Sequence, residues 1–180
     1  NMMDQDLAYV MLTEAQLHKR EEELGREFAE IYKDKRPLFL GILRGVVVFY
    51  ADMVRRIPIP CDFDFMSVSS YSGTTSTGMV HFDLDTRFDI AGRDVVILED
   101  ILDTGRTLRA VVDLLQKRNP ASLKICTLLD KPDRRLADIT ADWIGFTIPN
   151  EFVVGYGLDY NDLYRNLPYV GVLKPEIYTE

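Results

Sequence analysis

The chain has 180 residues, of which 47% are hydrophobic, so it can bury a sizeable core as a single domain spanning residues 1–180. Its 21 basic and 29 acidic residues give a formal charge of −8, which argues against nucleic-acid binding through a broad basic face. With only two histidines, a multi-histidine metal site is excluded, and catalysis must use carboxylates, lysines or bound metal.

No stretch approaches the roughly 20 apolar residues that a membrane-spanning helix needs, and the N-terminus lacks the pattern of a signal peptide. We therefore expect no membrane association and a cytoplasmic location. Small molecules and metal ions are the expected partners. An acidic protein can still bind a polyphosphate, because backbone N–H groups, a few basic side chains and divalent cations can hold the anion locally.

The first part of the chain alternates between helical and strand patterns. A capping-box pattern at Thr13 is followed by apolar residues at helical spacing as far as about Lys35. The continuous apolar run from Leu38 to Leu43 predicts a strand covered on both faces, as in a parallel sheet. A weaker helical pattern runs from Val46 to Ile57, and alternation from Asp62 to Val68 predicts a second strand.

A segment rich in serine, threonine and glycine then interrupts the regular patterns. We expect residues 69–80 to form a flexible loop of the kind that closes over active sites, with Ser70 and Tyr71 as its functional residues. A mobile loop without a catalytic part is the alternative.

The rest of the chain returns to an alternation of strands and helices. The apolar run from Val95 to Leu98 predicts a buried strand, and a helical pattern runs from Arg106 to Lys117. Further strands are predicted at Leu123 to Leu129, Trp143 to Ile148, Phe152 to Val154 and Val170 to Leu173. The sequence therefore predicts one α/β domain built on a parallel sheet.

The most informative segment lies between that buried strand and the following helix. Glu99 and Asp100 are carboxylates at the strand end that suit sugar hydroxyls or a magnesium ion. Asp103 follows, and the turn Thr104 to Thr107 offers hydroxyls and N–H groups at a helix start, which suit a phosphate. A phosphate site beside a diol site describes a ribose 5-phosphate.

The alternative is purely structural, with strand-end carboxylates and Asp103 as the N-cap of the helix. Three carboxylates within five positions, directly before a Thr-Gly turn, make that interpretation weak for the segment as a whole. A nucleotide-binding P-loop requires a lysine after its second glycine, and this segment has Gly105 followed by Arg106.

Residues 99–107 resemble the phosphoribosyl pyrophosphate (PRPP) motif of the type I phosphoribosyltransferases, in which two acidic residues precede Asp-Thr-Gly-basic-Thr. Similarity extends over Leu38 to Leu173. Residues 148–161 look like the purine-binding segment of the hypoxanthine-guanine phosphoribosyltransferases. This resemblance implies the type I fold, a central mainly parallel twisted sheet flanked by helices, with a small hood formed from about 1–15 and 142–180.

The resemblance implies transfer of the phosphoribosyl group from PRPP to N9 of hypoxanthine or guanine, giving IMP or GMP and pyrophosphate. Asp103 resembles the general base at purine N7, and we expect a dry, covered site to raise its pKa. The residues that look like the PRPP and ribose 5-phosphate site are Glu99, Asp100, Asp103, Thr104, Gly105, Arg106 and Thr107.

Two other groups of residues also correspond to binding sites of this family. The pyrophosphate site of the family corresponds here to Leu43, Arg44, Gly45 and Arg165. In relatives, the peptide bond that corresponds to Leu43-Arg44 can be cis. Many relatives have lysine where Arg44 stands. The purine-binding residues implied by the resemblance are Lys131, Phe152, Val153 and Asp159.

The resemblance also implies magnesium, with two ions in the active complex, and a homodimer or homotetramer. Glu99, Asp100 and Asp159 are the implied ligands. Without the resemblance, Lys131 would be read as a surface lysine and Phe152 as a core residue.

Two rival functions predict different chemistry. Val80 to Thr86 resembles the nucleophile motif of haloacid-dehalogenase-type phosphatases, with Asp83 as nucleophile and Asp85 as acid, although the match ends at Thr86. A non-catalytic relative that binds nucleotide or RNA is the second rival. It predicts a basic surface or missing catalytic residues, neither of which this sequence has.

Overall fold

The computed structural model describes residues 1–70 and 79–179 and shows an α/β architecture. The strands are β1 Leu7–Leu12, β2 Leu38–Leu43, β3 Asp62–Ser70, β4 Val80–Leu84, β5 Asp94–Leu102, β6 Ser122–Asp130, β7 Trp143–Thr147, β8 Val153–Val154 and β9 Val170–Leu173. The helices are α1 Glu14–Ile31, α2 Val46–Val54, α3 Arg106–Gln116 and α4 Pro175–Tyr178, with 3-10 turns at Met2–Asp6 and Pro132–Arg134. None of the described helices is long and apolar enough to cross a membrane.

The central sheet has six strands in the order β4-β3-β2-β5-β6-β7. All neighbouring pairs are parallel except β3 and β4, which pair antiparallel at one edge. From β2, the next strands β3 and β4 are added toward one edge of the sheet, whereas β5, β6 and β7 are added toward the other edge. The strand order therefore reverses between β2 and β5. In open α/β sheets, ligands bind outside the carboxyl ends of the strands at such a point.

Both faces of the sheet are covered, which explains why its inner strands are continuously apolar. Phe39 of β2 faces a cluster with Phe28 of α1 and Phe49 of α2. Leu40 of the same strand faces the opposite cluster, which includes Val111 of α3. Side chains alternate along β2, and helices bury both sets.

A second, three-stranded sheet in the order β1-β9-β8 joins the two ends of the described chain. This small sheet corresponds in position to the expected hood. β7, Trp143–Thr147, lies within the residues expected for the hood but pairs with β6 in the central sheet. The hood strands are therefore Leu7–Leu12, Val153–Val154 and Val170–Leu173.

The fold class and its mainly parallel sheet are confirmed, with small shifts at element ends. α2 stops at Val54, short of the predicted Ile57, and β5 runs on to Leu102 beyond the predicted Leu98. β1 was not predicted from the sequence, and β4 was identified there only as a possible phosphatase motif. Of the predicted lid at residues 69–80, residues 71–78 lie outside the described residues.

The capping box at Thr13 generates a testable prediction. The Thr13 side chain accepts a hydrogen bond from Gln16 N at 3.2 Å, and Thr13 N donates to Gln16 Oε1 at 2.8 Å. Replacing Thr13 with alanine should lower the free energy of unfolding by about 1 kcal/mol, measured by urea denaturation. Lys19→Ala, at an exposed position of the same helix, should change it by less than about 0.5 kcal/mol. Equal effects of the two substitutions would contradict the role of the cap.

Candidate active site

Two adjoining cavities lie at the carboxyl ends of the central strands. The smaller, of about 270 Å³, is lined by the turn after β2 and by the segment from Glu99 to Thr107. The larger, of about 570 Å³, is lined by the segment from Lys131 to Arg134 and by residues between Asn150 and Asp159. Ile101 and Asp103 line both cavities. The two cavities thus meet at Asp103.

The turn after β2 forms one wall of the smaller cavity. Its Leu43-Arg44 peptide bond is cis, as the resemblance allowed. Gly45 is buried where no side chain would fit: a Cβ there would overlap Asp100 Oδ2 and lie 2.8 Å from Gly157 O and 3.1 Å from Arg165 Nη1. A glycine at this position therefore lets the turn pack directly against Asp100 of β5 and against Gly157, which lies in the segment that resembles a purine-binding segment.

The carboxylates of Glu99 and Asp100 form the floor of the same cavity. Both lie inside the last part of β5 and are half-buried. Burial raises the pKa of Asp100 to about 6, and burial together with the neighbouring Asp100 raises the pKa of Glu99 well above its usual value. Such paired carboxylates repel each other and gain stability from a cation.

The acidic segment leads directly into α3. Gly105 is the N-cap residue, with a φ of +82°, and Thr104 Oγ1 accepts a hydrogen bond from Arg106 N at 3.5 Å. The interpretation of Asp103 as an N-cap is therefore wrong. Thr104, Gly105 and Thr107 line the smaller cavity at the positive end of the helix dipole, where an anion can bind N–H groups. Arg106 begins the helix but is not part of this lining.

The larger cavity combines one buried cation with aromatic and apolar walls. Lys131 follows β6, is 8% exposed, and its burial lowers the pKa of its ammonium group. Phe152 and Val153 face the same cavity. The ring of Phe152 stacks on Tyr178 of α4, with centroids 4.6 Å apart and planes 20° apart. This cavity can hold a flat ring with an acceptor group near Lys131.

Asp103 stands between the two cavities with a side chain that is 42% exposed. Arg134 Nε donates to its Oδ1 at 3.1 Å, and Arg135 Nε donates to its main-chain oxygen at 3.1 Å. Among the described residues, the carboxylate is thus a hydrogen-bonded and accessible group, and most of the lid that is expected to cover it lies outside those residues.

Arg165 links the remaining predicted residues. Its Nη1 donates to Gly157 O at 2.7 Å, and its Nη2 lies 3.5 Å from Asp159 Oδ1. Asp159 Oδ2 also accepts a hydrogen bond from Asp162 N at 2.8 Å. Arg165 lines neither cavity, but its guanidinium group adjoins the position of Gly45.

The structure adds lining residues that the sequence analysis missed. Ile101 and Leu158 are apolar positions within segments already singled out, and Tyr178 lies far along the chain, so no local pattern indicates it. Arg134 is one of several arginines without a distinguishing motif. Of the two lid residues, Ser70 is the exposed end of β3, and Tyr71 lies outside the described residues.

The phosphatase-like motif has a structural role. His81 Nδ1 lies 2.8 Å from Asp83 Oδ1, and Asp85 forms hydrogen bonds with Arg118 at 2.9 and 2.7 Å. Asp83 lies on the antiparallel edge strand β4, and Asp85 just after it. Neither aspartate lines the two cavities.

Comparison with known proteins agrees with this geometry. The phosphoribosyl transferase domain family matches residues 14–161. The chain belongs to the phosphoribosyltransferase family. It is 51% identical to the hypoxanthine-guanine phosphoribosyltransferase of Lactococcus lactis over 99% of the chain and 97% of that protein. The resemblance inferred from the motifs is confirmed.

Solved structures give the same result. A crystal structure of a hypoxanthine phosphoribosyltransferase from Staphylococcus aureus superposes with a TM-score of 0.97 at 50% identity, covering 100% of this chain and 98% of that one. A Trypanosoma cruzi hypoxanthine phosphoribosyltransferase in complex with the product IMP gives a TM-score of 0.92 at 39% identity, covering 97% and 98%. The chain spans 28% of the bifunctional TilS/HprT protein of Listeria monocytogenes, to which it is 49% identical over 99% of its length.

The close packing at Gly45 leads to a second prediction. Gly45→Ala should lower the free energy of unfolding by about 1–3 kcal/mol, because the added methyl group overlaps Asp100 and crowds Gly157 O. Val47→Ala, two residues along and 46% exposed, should cost less than about 0.5 kcal/mol. Chemical denaturation of both variants measures the difference, and a neutral Gly45→Ala would contradict the packing described here.

Proposed function

We propose that the protein is a magnesium-dependent hypoxanthine-guanine phosphoribosyltransferase that acts in purine salvage. The observation that carries the proposal is the meeting of two chemically different cavities at one carboxylate, Asp103. One cavity suits a phosphorylated sugar and the other suits a flat base. PRPP and a 6-oxopurine are the proposed substrates, and IMP or GMP and pyrophosphate are the products.

In the proposed mechanism the smaller cavity binds PRPP. N–H groups and hydroxyls from Thr104 to Thr107 hold the 5-phosphate, and Glu99 and Asp100 orient the ribose hydroxyls. The turn at Leu43, Arg44 and Gly45, with Arg165, binds the pyrophosphate leaving group. As pyrophosphate departs, positive charge develops at the anomeric carbon and negative charge builds on the leaving group. Contacts to pyrophosphate that strengthen as its negative charge grows therefore lower the barrier.

The larger cavity orients the base against that carbon. Lys131 donates to the purine 6-oxygen, and Phe152 stacks on the ring while the main chain of Val153 contacts its edge. Asp103 accepts the proton from N7 as N9 attacks. Because the 6-amino group of adenine would present donors to the Lys131 ammonium, adenine is rejected.

The carboxylates of the site fit a magnesium cofactor. Glu99 and Asp100 offer carboxylate oxygens as metal ligands. Their pKa values are raised, which indicates that their negative charges are not fully balanced by nearby positive groups. Asp159, 3.5 Å from Arg165, would supply the carboxylate for a second ion on the pyrophosphate side. Bound Mg²⁺ would neutralise the leaving group, while these residues fix its place relative to the ribose.

A direct assay tests the proposed function. The protein is mixed with Mg²⁺ and PRPP and with hypoxanthine, guanine, xanthine or adenine separately, and nucleotide formation is followed. Turnover with at least one 6-oxopurine and none with adenine is expected. The proposal is wrong if no 6-oxopurine is converted, and release of phosphate from a sugar phosphate without PRPP would favour the phosphatase alternative.

Asp103→Asn should lower the transfer rate by about 10²- to 10⁴-fold, because the amide cannot accept the N7 proton. Asp113→Asn is the matched control, since Asp113 is also a half-exposed carboxylate paired with an arginine, Arg109, at 2.7 Å on α3. The control should retain full activity. Steady-state rates with hypoxanthine and circular dichroism spectra of both variants separate lost chemistry from lost folding, and equal rates for the two variants would contradict the assigned base.

A further inference from the structure

Outside the two cavities, a buried hydrogen-bond network joins α1, α2 and the segment after β8. Tyr156 Oη lies 2.5 Å from Glu21 Oε2 and 2.5 Å from Asp52 Oδ2. Glu21 is fully buried, and Tyr156 is 2% exposed. Glu21 comes from α1 and Asp52 from α2, so one tyrosine hydroxyl connects three separate parts of the chain.

This network needs one proton more than the tyrosine supplies. A hydroxyl can donate to only one of two carboxyl oxygens, and it must accept a hydrogen bond from the other. Asp52 is 19% exposed and pairs with Arg55 at 2.5 Å, which stabilises its charge. Glu21 is fully buried, and its Oε1 has no hydrogen-bond partner. Glu21 is therefore the neutral member, donating to Tyr156, which in turn donates to Asp52.

Burial and the nearby guanidinium groups of Arg55 and Arg56 act in opposite directions on the pKa of Glu21, and burial is the larger effect. Burial raises the pKa of Glu21 to about 7. Arg56 Nη1 lies 3.6 Å from Glu21 Oε1, and His18 Nε2 lies 3.6 Å from Asp52 Oδ2. His18, Glu21 and Asp52 could in principle ligate a metal ion. Two guanidinium groups beside the carboxyls already supply positive charge, so a proton suits the cluster better than a divalent cation.

Tyr156 sits in a tightly folded segment that reaches the candidate active site. Gly155 and Gly157 on either side of it have φ values of +95° and +98°, and Tyr156 itself has a φ of +51°. Gly157 O accepts the hydrogen bond from Arg165 Nη1 at 2.7 Å. A Cβ on Gly157 would overlap Gly45 O, so the main chain beside Tyr156 packs directly on the turn after β2.

We propose that Tyr156, held by a protonated Glu21 and by Asp52, is a positioning residue for the pyrophosphate end of the site. The network fixes the main chain at Gly157, and Gly157 in turn fixes Arg165 and the turn at Gly45. This inference rests on the proposed function only for the identity of the ligand at that end. The same segment contributes Leu158 and Asp159 to the purine cavity. The contacts of Gly157, which is next to Tyr156, are with Arg165 and Gly45, so the network should affect PRPP binding more than purine binding.

The test compares two buried tyrosines that each lose one hydroxyl. Tyr156→Phe removes the network, whereas Tyr50→Phe removes the hydrogen bond from Tyr50 Oη to Phe39 O at 2.8 Å, and both tyrosines are 2% exposed. With Tyr156→Phe, the Kd and KM for PRPP should rise about tenfold, while the KM for hypoxanthine changes less than about twofold. With Tyr50→Phe, both constants should stay within about twofold of wild type.

Glu21→Gln tests the proton itself. The amide resembles the neutral carboxyl and can donate permanently to Tyr156, so at about pH 6 it should bind PRPP as wild type does. Wild-type Glu21 loses its proton as pH rises through about 7, so the ratio of wild-type to Glu21→Gln Kd should increase toward about pH 8. This ratio cancels the titration of the ligand, because both proteins bind the same ligand.

Stability gives a readout that needs no substrate. Because the folded-state pKa of Glu21 is raised, its stabilising protonation is complete below the unfolded value near 4.5 and is lost as pH rises through about 7. The melting temperature of Glu21→Gln should therefore increasingly exceed that of wild type between about pH 5 and pH 8. At about pH 6 the infrared carbonyl band of protonated carboxyls should be weaker in Glu21→Gln than in wild type, because Glu99 and Asp100, whose pKa values are also raised, contribute to the band in both proteins.

The outcomes separate this inference from the proposed function. Binding of PRPP without turnover of any 6-oxopurine would contradict the proposed function, while the Kd comparison would still test the network. Equal effects of Tyr156→Phe and Tyr50→Phe, or equal effects of Tyr156→Phe on both substrates, would overturn the positioning role. An infrared carboxyl band of equal intensity in wild type and Glu21→Gln, or stabilisation of wild type by Zn²⁺ that Glu21→Gln abolishes, would show that the network holds no such proton.

Discussion

The pairing of β2 with β5 is the constraint on which the rest of the site depends. These parallel strands hold the register Leu38 to Val95 through Gly41 to Leu98, so their carboxyl ends emerge side by side. The turn at Gly45 and the acidic segment from Glu99, separated by more than fifty residues in sequence, thereby come into contact. Strand order reverses at this pair, which leaves the space above it open for a ligand.

Buried and half-buried carboxylates in this structure are compensated by different physical means. Asp62 is held by Arg36 and Arg93, which lower the pKa of its carboxyl. Glu99 and Asp100 have raised pKa values, and we propose that a cation compensates them. The positive charge within hydrogen-bond reach of Glu21 is too small to compensate a carboxylate, and we propose that a proton neutralises this side chain instead. An acidic chain can thus bind an anionic substrate, because the local partners of each carboxylate matter more than the net charge.

Much of the fold could be predicted because its signals are local. The apolar run of β2 and the capping box of α1 depend on neighbouring residues, and both elements form where the patterns indicate. β1 was missed because its alternation is weak, and it is stabilised by pairing with β9 more than 150 residues away. The end of β5 was placed too early because Glu99 and Asp100 are polar, although Glu99, Ile101 and Leu102 continue the ladder with β6.

For the site, the sequence by itself determined which chemical groups are available and which of them share a segment. The order Glu99, Asp100, Asp103 and Gly105 carries the motif, since residues close in sequence must stay close in space. The tertiary structure alone decided that Asp103 stands between two cavities, paired with Arg134, and that Tyr178 stacks on Phe152. It also decided that Glu21 is buried beside Tyr156, because contacts between distant segments follow from sheet order and helix packing, which leave no pattern along the chain.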